Sequence, residues 1–119
     1  MTLEELRELD RRVHYEVLDL HCLHEDLHVE VYSCRTCGRE GVATGEPMPY
    51  STKIEWAWVA VETLRARAWF LVLTDFGKTW GGWEARLDLG DNEVYHCRTA
   101  REATAPLAIC RAALETVEP

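Results

Sequence analysis

The sequence predicts an α+β domain, with helices lying in layers against a three-stranded antiparallel meander. Apolar residues recur at spacings of three and four in three stretches, near 2–20, 51–68 and 105–117, the signature of amphipathic helices. Residues 83–89 alternate apolar with charged residues and are flanked by turn-forming residues, the signature of a half-buried strand. A cysteine- and histidine-rich stretch over 21–38 separates the first helix from the rest. The expected order is helix, metal loop with a short strand, helix, three strands, helix. Length of 119 residues suits a single domain over 1–119, with 21–38 as a subregion inserted before the main body.

The first helix rests on the stripe Leu6, Leu9, Val13, Val17 and Leu20. Thr2 with Glu5 three residues later reads as a capping box, and Glu4, Glu5 and Glu8 favour the positive end of the helix dipole. His14 and Tyr15 fall off the stripe, so His14 reads as a surface residue without a role.

Residues 21–38 hold three of the five cysteines and three of the five histidines. Cys34-Arg35-Thr36-Cys37-Gly38 is a knuckle that offers two thiolates to one ion from a tight turn. Cys22 and His24 form a Cys-x-His pair upstream, with both donors on one side of an extended backbone. Cys22, His24, Cys34 and Cys37 are the expected ligands of one zinc ion, with His28 or His21 as alternatives to His24. Four protein ligands fill the tetrahedral shell, so the zinc is expected to be structural. Between the two pairs, His28 to Tyr32 alternates and reads as a short strand. Residues 38–50, rich in glycine and proline, read as a loop and hinge.

The second helix is expected over 51–68, capped by Thr52 with Glu55. Its buried stripe is Ile54, Trp58, Val61, Leu64 and Ala68, with Ala57 and Ala60 beside it, while Trp56 lies on another side of the wheel. Strands are expected over 68–74, 83–89 and 93–98, joined by a turn at 75–82 and a hairpin at Gly90-Asp91-Asn92. His96 and Cys97 do not read as a catalytic pair, because adjacent strand residues point to opposite faces. The last helix starts near Thr104 and Pro106 and buries Leu107, Cys110, Leu114 and Val117. Trp69, Trp80 and Trp83 suit core packing and a pinned turn, whereas Trp56, Trp80 and Trp83 together form a candidate interaction surface.

Totals narrow the function. Hydrophobic content of 47% argues against a disordered chain, and no run of about 18 apolar residues is present to span a membrane. The start of the chain is acidic without an apolar core, unlike a secretory signal, so a cytoplasmic location is expected. There thiols stay reduced, which favours metal over disulfides. Net charge is −8, of which residues 1–30 carry −6 from nine acidic and three basic side chains. That balance argues against nucleic-acid binding, which relies on cations to displace counterions.

A resemblance covers nearly the whole chain in order. Pro49-Tyr50-Ser51-Thr52-Lys53-Ile54-Glu55-Trp56-Ala57-Trp58-Val59-Ala60-Val61-Glu62 resembles the Tyr-Ser-Thr signature of the phage ABA-sandwich domain family. Ala105 to Leu114 resembles its closing helix, and Glu8 to Val13 its opening one. Some relatives also resemble this chain in carrying Cys-x-His and Cys-x2-Cys before that signature, which supports Cys22, His24, Cys34 and Cys37. Lys53 stands where an acidic residue is more usual and Trp56 where a small one is. The resemblance implies a phage or prophage origin and brings no catalytic set.

Nucleotide-binding, zinc-protease, hydrolase and deaminase motifs are missing from the sequence. The expectation is therefore a non-enzymatic, zinc-stabilised accessory protein that binds a host protein, a defence or transcription component. Alternatives are a zinc-ribbon-like nucleic-acid binder, a sequestering protein for a small signalling ligand, and a zinc hydrolase. The sequence leaves the oligomeric state open, a dimer included.

Overall fold

The computed structural model describes residues 1–18, 27–28, 33–34, 48–90 and 95–117. It has the expected α+β class. Helix α1, Leu3–Arg12, is capped by Thr2, whose Oγ1 accepts from Glu5 N at 3.2 Å. It runs into a π-helical turn, Val13–Val17, closed by Leu18 N donating to Val13 O at 3.0 Å. Leu9, Val13 and Val17 of the expected stripe are buried. His14 is also buried, against expectation. A π turn puts more residues in each turn than an α turn, so it shifts which side chains face inward.

Strand β1, Leu27–His28, pairs antiparallel with β2, Ser33–Cys34, matching Leu27 with Cys34 and His28 with Ser33. Of the short strand expected over 28–32, His28 lies in β1; residues 29–32 fall outside the described residues. Of the hairpin expected at Gly90-Asp91-Asn92, Gly90 ends β4 and the other two residues fall outside the described residues.

Helix α2, Ile54–Ala66, starts later than its expected cap. Lys53 is the N-cap, without a side-chain bond. Thr52 belongs instead to a turn in which Pro49 O accepts from Thr52 N and Lys53 N. Ala57, Ala60, Val61 and Leu64 are buried, while Ile54 and Trp58 are exposed. The helix therefore turns its alanines, not its Ile54–Trp58 edge, to the core. Small side chains allow a close approach of helices. The helix closes with Trp69 N donating to Leu64 O, and Ala68 takes the left-handed conformation there (φ 69°). That cap ends the helix and delays the strand.

Strand β3, Phe70–Asp75, is followed by the one-turn helix α3, Gly77–Trp80, then β4, Trp83–Gly90, and β5, Tyr95–Glu102. The strands form an antiparallel meander in the order β3-β4-β5. Register sets Leu71 opposite Leu87 and Leu73 opposite Ala85; these residues face the core, Ala85 and Leu87 fully buried. Phe70 and Val72 alternate with them and are exposed. In β4, Asp88 is buried and its Oδ2 accepts from Arg86 Nε at 3.1 Å.

Helix α4, Ala105–Glu115, begins at Thr104 with Pro106 in its first turn, as expected. It packs on β4, β5, α2 and the α1–π unit. Cys110 and Leu114 of its expected stripe are buried, and Leu107 and Val117 pack against the core. Ala108, Ile109, Ala112 and Ala113 are buried too, because a helix enclosed on several sides is apolar nearly all round. Among the described residues, no helix is long and apolar enough to cross a membrane.

Candidate functional site

Where the Tyr50-Ser51 turn meets the α1–π unit, polar groups meet inside the core. Ser51 N donates to Asp10 Oδ1 at 2.8 Å. His14 Nδ1 lies 3.2 Å from Tyr50 Oη. Trp56 stands edge-on to the Tyr50 ring, with centroids 6.4 Å apart. Asp10, His14, Tyr50 and Ser51 are all at most 6% exposed. The turn before α2 aims the Ser51 amide at Asp10, and the π turn brings His14 round to Tyr50. The two links tie residues 41 and 36 positions apart in the chain and fix how α2 enters the core.

Electrostatics agree with a structural role. Burial raises the Asp10 pKa, and the side chain and backbone N–H of Ser51 hold it down. The Ser51 hydroxyl lies close to Asp10, yet among the described residues its Oγ has no well-formed hydrogen bond. Burial, then the charge of Asp10, then Cys110, push the Tyr50 hydroxyl up. Burial, with Asp10 adding to it, pushes the Cys110 thiol well above its ordinary range. A thiol so held is neutral and a poor nucleophile. The cluster is buried and its two links hold the Tyr50-Ser51 turn to the α1–π unit, as a clasp does.

The outside of the domain offers different chemistry. Ile54, Trp58 and Val59 are 45%, 43% and 39% exposed. Ile54 and Trp58 lie one helical turn apart on α2 and so share a face. Of the sequence-derived surface, Trp56 and Trp83 are partly buried and packed against the core. The backbone of Trp80 closes α3, and its side chain lies outside the described residues. Near the turn, Arg101 stacks over the Phe76 ring, 4.2 Å from its centroid.

Of the expected zinc ligands, Cys22, His24 and Cys37, with His21, lie outside the described residues. Cys34 takes its place in β2 opposite Leu27, and the alternative His28 in β1 opposite Ser33, so their backbones share one two-stranded unit. Among the described residues, no group of three or more His, Cys, Asp or Glu could hold a metal.

Sequence reasoning missed the clasp. Asp10 and His14 flank Val13 on the α1 stripe, four residues apart. Polar residues beside a buried stripe were the available signal. The π turn hid it, because helical periodicity assumes an unbroken 3.6-residue turn.

Fold and clasp define a small helix-on-sheet sandwich with a sealed polar interior. The model of the family described as the Phage ABA sandwich domain matches residues 13–114. The chain belongs to that family and is a small phage-type protein. The match takes in His14, Tyr50, Ser51 and Cys110; Asp10 precedes it. No match was found among the curated proteins or among the solved structures.

Proposed function

We propose that this phage-type protein acts without enzymatic chemistry, by binding a host protein and modulating it, with a structural zinc holding part of its surface. The observation that carries the reading is the exposed apolar face of α2, where Ile54 and Trp58 stand 45% and 43% exposed. Large aromatic side chains anchor protein interfaces. The described groups whose pKa values clearly shift, Asp10, Tyr50 and Cys110, are buried in the clasp, where they serve packing. An acidic chain of net charge −8 suits a basic protein partner better than nucleic acid.

Cys22, His24, Cys34 and Cys37 would hold the zinc, with His28 or His21 as alternatives. The β1–β2 pairing supports this reading, because it sets Cys34 in a local unit that is too small to be stable alone. Zinc in such a unit contributes folding energy. With its shell filled by protein ligands it has no place for a reacting water.

The test is capture from host lysate on immobilised wild-type protein and on Trp58→Ala, followed by binding of the purified captured protein. The reading expects a host protein bound by wild type and at least about tenfold more weakly by Trp58→Ala. Equal binding by both, or a mobility shift of short DNA or RNA at low salt instead, rejects it.

A further inference from the structure

The two outer strands of the sheet differ in how they face a neighbour. With the order β3-β4-β5, both are edges among the described residues. A sheet edge presents unpaired N–H and C=O groups, and proteins usually guard it with charge, proline or a bulge. Strand β5 is guarded: it carries Arg98, Arg101 and Glu102, and Glu102 accepts from Arg111 at 2.8 Å. Strand β3 is Phe70-Leu71-Val72-Leu73-Thr74-Asp75, six residues without lysine, arginine or proline. It pairs with β4 residue for residue, without a bulge. Its Phe70 and Val72 are 59% and 42% exposed.

We infer that β3 is the site of self-association, pairing antiparallel with β3 of a second copy to give a continuous six-stranded sheet. The strand is complementary to itself in one register. A two-fold axis at Val72 sets Val72 opposite its own copy, Leu71 opposite Leu73 and Phe70 opposite Thr74. Directly opposed residues in an antiparallel pair lie on the same face. Leu71 and Leu73 therefore stay on the helix-facing side, and on the other Val72 meets its own copy while Phe70 meets Thr74. An axis at Leu73 instead sets Asp75 against Leu71, a worse match. Such a contact is isologous and closes at two copies. Because β5 is charged, the sheet stops there and does not grow into a fibre. A foreign strand would need a matching apolar sequence; a second copy supplies one by symmetry.

Sedimentation equilibrium of the full chain at micromolar concentrations tests this. Wild type is expected at twice the 13.7 kDa chain mass. Val72→Lys sets two like charges face to face and is expected to weaken the dimer by at least about 100-fold. Its circular dichroism should match wild type, since Val72 is exposed. Mixing Val72→Lys with Val72→Glu should restore a dimer that neither forms alone, which only a register centred on Val72 does. Should Val72→Lys fail to fold, Val72→Glu, which sets two carboxylates face to face, is measured with the same expectation. A wild-type monomer, including one that captures a foreign strand, overturns the inference. So does a dimer indifferent to these charges, or a Lys and Glu mixture that stays monomeric.

Discussion

Replacing Asp10 separates the clasp into its parts. The Ser51 amide, 1% exposed, donates to Asp10 Oδ1 at 2.8 Å. Asp10→Ala removes the acceptor and leaves that N–H buried and unpaired, a loss of about 1–3 kcal/mol. In a domain of this size each kcal/mol moves Tm by about 4 °C, so a fall of roughly 4–12 °C is expected. Asp10→Asn keeps an Oδ1 to accept the bond and removes a charge that burial disfavours, so it should stay within about 1 kcal/mol of wild type. The pH dependence carries a definite sign. Burial raises the Asp10 pKa above 3.8, so the folded protein holds that proton more tightly than the unfolded chain does. Its contribution to stability is full below the unfolded value and is lost as pH rises through the folded one. Urea unfolding of wild type and Asp10→Asn across acid to neutral pH reads this as a difference, in which the other carboxylates cancel. Wild type should lose ground to Asp10→Asn as pH rises. Equal stability of Asp10→Ala and Asp10→Asn at neutral pH would refute the hydrogen-bond argument. A difference that moves in wild type's favour with rising pH would refute the burial argument.

Other consequences follow from the backbone and from the cysteine-histidine stretch. Ala68→Gly relieves a left-handed residue (φ 69°) at the end of α2 and should stabilise by about 1 kcal/mol in urea unfolding. Gly82→Ala should cost at least about 2 kcal/mol, since φ is 97° and a Cβ there would lie 2.3 Å from Glu102 O; thermal unfolding reads it. If zinc is bound as proposed, metal analysis finds one per chain, and a chelator lowers the Tm of wild type. Cys34→Ser and Cys37→Ser should purify without zinc and be insensitive to the chelator.

Sequence pattern reached the sheet and the helices because these are set by burial of regular faces. Alternation in Trp83–Leu89 placed β4, and the apolar stripe of α4 placed Cys110 and Leu114 in the core. Pattern erred where one surface competes with another. Ile54 and Trp58 are the largest apolar residues of α2, yet the helix buries Ala57 and Ala60, because its neighbour α4 presents alanines as well and the two come close. Thr52 carried the composition of a cap, but the turn closed on Pro49 O uses it first. Strand β5 runs to Glu102, beyond the expected Arg98, since its pairing with β4 continues to Trp83. Of the clasp, Tyr50 and Ser51 stood inside the family's signature segment, whereas Asp10 and His14 depend on a π turn that no local rule announces.

The proposed function places binding on the exposed α2 face of Ile54 and Trp58. Binding of a purified host partner to wild type and to Trp58→Ala, with thermal unfolding of both, tests it most directly. Affinity is expected to fall at least about tenfold while Tm stays within about 2 °C, because Trp58 is exposed and its loss leaves the core intact. Unchanged affinity in a folded Trp58→Ala would contradict it.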